Sequence, residues 1–104
     1  MATILSPFTV SRMPPQNIEA EISLLGSALL DGSALDRVVD ILKAEDFYKK
    51  EHQMIFEAIL DLFAKQKPVD ILSLSNALKE KGQFEEIGGS TFLTSLVNSV
   101  PTAS

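Results

Sequence analysis

His52 is the one histidine of the chain, and any acid–base chemistry would have to start from it. It falls on the apolar side of a helical stretch, with Asp46 and Glu51 as the neighbouring carboxylates. A general base needs a nucleophile or an orienting carboxylate within hydrogen-bond reach. Both acids are equally explained as negative charges at the positive end of a helix dipole, so a structural role is expected for His52. Glu19, Glu21, Glu85 and Glu86 could pair around a metal or share acid–base work. The first two lie in the opening turn of a helix, where the dipole alone favours them, and a solvated surface is expected for all four. Gly88-Gly89 resembles half of a phosphate cradle, but no GxxxxGK[ST] motif occurs and no strand precedes it. A tight turn and loose helix cap is the expectation there, with no ATP site. The absence of cysteine excludes disulfides and thiol-ligated metals. No catalytic residue, cofactor or metal is expected.

The elements that would position these groups are helices. Ile55, Phe56, Ile59, Leu62 and Phe63 share one sector at ~100° per residue, while Glu57, Asp61 and Lys65 point away. This predicts a long amphipathic helix from Lys50 to Gln66, the spine of the core, with Phe47 at its approach. Ahead of it, Pro14-Pro15 disfavours helix and Asn17 is a good N-cap. Ile18, Ile22, Leu25 and Leu29 then predict a helix over Ile18 to Leu30. Gly26 inside it costs roughly 1 kcal/mol against alanine and is expected to mark a close helix crossing. Asp31-Gly32 reads as a turn, Ser33 with Asp36 as a capping box, and Ala34 to Leu42 as a second helix. After the spine, Asp70 caps a helix over Ile71 to Lys81, with Val69 positioned as a staple on Leu74. Gly82 is its left-handed stop. A last helix, Ser90 to Asn98, turns Leu93, Leu96, Val97 and Val100 inward and ends at Pro101. The fold class is all-α: a compact orthogonal bundle of about five main helices around a central long one.

With 104 residues the chain is one domain. A net charge of −5, with nine scattered Lys and Arg, argues against direct nucleic-acid binding. No apolar run reaches the ~20 residues of a membrane span. Residues 1–13 lack a secretory signal's architecture and are expected to form a disordered leader. A cytoplasmic protein-interaction module fits this balance.

The order Pro14-Pro15-Gln16-Asn17-Ile18-Glu19-Ala20-Glu21, Leu24-Leu25-Gly26, Asp46-Phe47-Tyr48, His52, Ile55-Phe56, Pro68-Val69-Asp70, Ile87-Gly88-Gly89 and Pro101-Thr102-Ala103 resembles the N-terminal domain of the bacterial replicative DNA helicase, DnaB type. The match is collinear from about Met13 onward. The resemblance implies that residues 14–104 form the helical head of that domain. It implies too that the family's C-terminal hairpin and Walker-bearing ATPase motor lie outside this sequence. Expected roles are assembly of the hexamer's collar, through dimers or a larger ring, and docking of the C-terminal helicase-binding domain of primase.

Two apolar side chains sit off their helices' inward lines. Phe92 is rotated by roughly 90° from its helix's inner stripe and Leu24 by about 130° from its own. Together with Glu19 as a rim charge they are the expected partner-binding residues, Phe92 first because aromatics dominate hot spots. Three other readings compete. A small nucleic-acid binder conflicts with the charge, and a His52 enzyme lacks a nucleophile and oxyanion site. A primase-side helicase-binding domain conflicts with the Pro14 to Glu21 opening.

Overall fold

The computed structural model describes residues 17–100; the expected leader and the Pro101-Thr102-Ala103 segment lie outside them. Four α-helices follow in order: α1 over Ile18–Leu30, α2 over Lys50–Ala64, α3 over Ile71–Glu80 and α4 over Gly89–Asn98. Two 3₁₀ segments, Gly32–Arg37 and Ala44–Asp46, join α1 to α2. The described residues are all helical or irregular, without a strand. None of their helices is long and apolar enough to cross a membrane.

The helix starts follow from local chemistry. Asn17 Oδ1 accepts the N–H of Ala20 at 3.0 Å, and Asp70 Oδ1 accepts that of Ser73 at 2.8 Å. Each satisfies a donor that its own helix leaves orphaned. Gly82, at φ +71, closes the end of α3 in the left-handed region as expected. The α2 helix ends differently, since Gln66 takes φ +59 and the Lys67 N–H returns to the Leu62 carbonyl at 2.9 Å.

The second predicted helix is corrected in kind. Gly32–Arg37 is 3₁₀, with the Val38 N–H on the Leu35 carbonyl and the Ile41 N–H on that of Val38. Its cap is Asp31, whose Oδ1 accepts both the N–H and the hydroxyl of Ser33. The expected Ser33–Asp36 box is therefore replaced by a tighter turn, capped two residues earlier at Asp31. Those bonds, from the Ser33 hydroxyl first, hold the Asp31 carboxyl below its ordinary range.

The four α-helices pack in a closed circuit: α1 on α2, α2 on α3, α3 on α4, and α4 back on α1. As the longest, α2 supplies the spine. Its Ile55, Phe56 and Ile59 are fully buried, and Leu62 nearly so. Phe63 sits at the margin, partly buried. Phe47 lies against Phe56, ring centroids 4.8 Å apart. On the outer side, the Lys81 ammonium bridges to Asp61 at 2.7 Å and more loosely to Glu57.

Gly26 marks the predicted crossing, and the structure supplies its partner. A Cβ at this position would come within 2.4 Å of both the Leu96 carbonyl oxygen and Val100 Cγ2. Only a residue without a side chain lets α1 and α4 approach this closely.

Candidate functional site

Glu21 is fully buried, contrary to the expectation of a solvated first-turn acid. The reason lies in helix geometry. At ~100° per residue Glu21 falls about 60° from Ile18, between the directions of Leu25 and Ala28, so it shares the apolar face of α1. That face packs on α2, whose N-cap residue is Lys49, a side chain with no acceptor to offer. Glu21 provides one from the neighbouring helix. Its Oε2 accepts the Tyr48 N–H, and its Oε1 accepts the Lys49 N–H at 3.4 Å and the His52 Nδ1–H at 2.7 Å. A carboxylate thus sits at the positive end of α2, where the dipole favours it. Nearby, the Gln53 side-chain amide donates to the Phe47 carbonyl at 2.7 Å and fixes the approach to the same helix.

His52 is likewise fully buried. Neither acid near it in sequence engages it: Asp46 accepts the N–H of Lys43 at 2.9 Å. The Phe92 ring of α4 lies over the imidazole, 28° from parallel with centroids 5.9 Å apart. Lys49 Nζ stands 6.0 Å from the centre of that Phe92 ring. Residues of α1, α2 and α4 therefore meet at one point.

A carboxylate orienting an imidazole is two-thirds of a nucleophile-activating triad. Here Nε2, the atom that would take the nucleophile's proton, is buried with no hydrogen-bond partner among the described residues. With the Glu21 carboxylate of α1 on Nδ1 and the Phe92 ring of α4 across the imidazole face, the arrangement ties three helices together. Among the described residues no three His, Cys, Asp or Glu side chains gather in a metal-binding group.

The order of these elements matches known proteins. The family model described as the DnaB-like helicase N terminal domain matches residues 13–104. The chain belongs to that family. It is 45% identical over 92 residues to the replicative DNA helicase DnaC of Bacillus subtilis, covering 88% of this chain and 20% of that protein. To the replicative DNA helicase DnaB of Geobacillus stearothermophilus it is 43% identical over 99 residues, covering 95% of this chain and 22% of that one. The chain thus spans about a fifth of the length of these relatives. The crystal structure of the N-terminal domain of DnaB helicase from Mycobacterium tuberculosis superposes with a TM-score of 0.81 at 39% identity, covering 86% of this chain and 65% of that chain.

Within this DnaB-like N-terminal domain the three expected partner-binding residues lie on the adjoining helices α1 and α4. Glu19 is exposed in the first turn of α1. Leu24 is partly buried against the core. Phe92 is half-buried, its inner side on His52. A shallow open depression runs along the outer face of α4, lined by Ser90, Thr91, Thr94, Ser95 and Asn98. Gly88 and Gly89, both at positive φ, form the turn into α4. Sequence reasoning missed the Glu21–His52 pair, although one signal was available: an acid standing in the apolar line of α1.

Proposed function

We propose that this chain is an interaction and assembly module of a replicative DNA helicase. It contributes to the collar of the hexamer by self-association and docks the C-terminal helicase-binding domain of primase. The fragment performs no catalysis, binds no nucleic acid directly and works in the cytoplasm. Relatives named replicative DNA helicases support the setting. The observation that carries the docking reading is the seat of Phe92. It is a half-buried aromatic backed by a fully buried ring, so little conformational freedom remains to be lost when a partner covers it.

The test is titration of the chain with the helicase-binding domain of primase from the same organism. Phe92→Ala is expected to weaken the complex by about 1–2 kcal/mol, roughly 5- to 30-fold, with the circular dichroism spectrum unchanged. Leu24→Ala probes the second apolar residue of the face. Glu19→Ala should act less, chiefly on the salt dependence of association. Unchanged affinity in Phe92→Ala would remove the proposed face, and a stability loss of several kcal/mol would make Phe92 a core residue. Sedimentation across a concentration series tests self-association.

A further inference from the structure

The surroundings of Phe92 say what chemistry a partner should bring. Lys49 Nζ stands 6.0 Å from the Phe92 ring centre, at the outer limit of a cation–π contact. Among the described residues Lys49 forms no ion pair; the pairs present are His52 with Glu21, and Lys81 with Asp61 and Glu57. Tyr48, next to Lys49 in sequence, is 58% exposed. The backbone beneath both residues is clamped, because the Glu21 carboxylate holds the N–H groups of Tyr48 and Lys49. A cation is thus presented from a rigid base beside the half-buried Phe92 ring of α4, in a chain whose net charge is −5.

We infer that Lys49 and Phe92 form one aromatic–cationic seat, flanked in sequence by the exposed Tyr48, and that it takes a protein segment carrying a carboxylate beside an apolar side chain. This deepens the docking reading above and rests on it. The apolar side chain covers Phe92 while the carboxylate draws the Lys49 ammonium off the ring and pairs with it. The two contacts are therefore made together. Charge selects the occupant's class. A nucleic-acid strand would bring several phosphates to a single seated lysine, against the field of an acidic domain. An acidic–apolar protein segment brings one carboxylate and the surface to cover the ring.

The experiment uses the same primase domain as probe, with four forms of the chain: unaltered, Phe92→Ala, Lys49→Glu and Lys50→Glu. The last two change net charge equally at adjacent positions, so they separate local recognition from the overall field. Lys49→Glu is expected to weaken binding by about 10-fold or more and to flatten its salt dependence, and Lys50→Glu by less than about 3-fold. Melting temperatures should stay level, since the Lys49 and Lys50 side chains lie outside the core. If Phe92→Ala weakens binding while Lys49→Glu does not, the seat is purely aromatic and this inference fails with the docking reading intact. If neither variant acts, the docking reading itself fails. Equal losses in the two lysine variants would reduce the effect to net charge and overturn the seat. So would tighter binding of a single-stranded oligonucleotide than of the primase domain, lost on Lys49→Glu.

Discussion

Glu21 is held in place by its geometry and in turn holds the start of another helix. Removing its carboxylate strands a buried imidazole and two backbone donors at once, the situation in which a broken buried pair costs about 3–5 kcal/mol. Glu21→Ala should therefore lower the unfolding free energy from urea denaturation by that much, a large part of the ~5–15 kcal/mol expected of a domain. The double variant Glu21→Leu/His52→Phe should lose less than Glu21→Ala alone, because no buried imidazole is left without its hydrogen-bond partner. A Glu21→Ala unfolding free energy within about 0.5 kcal/mol of the parent would mean the tie holds nothing together. The burial of His52 was legible because it stands on the apolar face of α2. Its partner was not, since Glu21 is distant in sequence and first-turn acids have a sufficient local explanation. Only its angular position, read against Leu25 and Ala28, distinguishes it from Glu19, which is exposed.

Helix boundaries were legible where a single residue type is demanded by backbone chemistry. Asn17, Asp70 and Gly82 stand at predicted ends, and each makes the cap or turn its type allows. The segment after α1 was not. Leu35, Val38, Val39 and Leu42 fit i+3 and i+4 spacing alike, and over so short a run the pattern cannot choose between 3₁₀ and α. The end of α2 was also hidden, because Gln66 is an unexpected residue for φ +59. Holding a side chain in the left-handed region costs about 1–2 kcal/mol, so Gln66→Gly should stabilise the domain. A gain of about 0.5–1 kcal/mol is expected by thermal or urea denaturation, the greater freedom of glycine in the unfolded chain offsetting the rest. A loss on this substitution would show that the Gln66 side chain makes a contact worth more than the strain.

For the whole molecule, the sequence showed the spine and the inward faces but not which helix meets which. Apolar stripes on α1 and α4 state only that each is covered. Gly26 was the one hint, and Leu96 with Val100 proved to be its neighbours. This crossing brings together the two helices farthest apart along the described chain, with α2 and α3 in between. Contacts that enclose so much chain form after the local ones, since loop closure is costly until something holds the ends. Gly26→Ala gains roughly 1 kcal/mol in helix propensity yet forces the Leu96 backbone away, so a net loss of about 1–3 kcal/mol is expected. In stopped-flow chevrons that loss should appear almost wholly as faster unfolding, with the folding arm nearly unmoved. A slowed folding arm would place the crossing in the nucleus. On that expectation, the glycine that lets α1 meet α4 sets how long the folded domain persists and leaves the speed at which it forms nearly untouched.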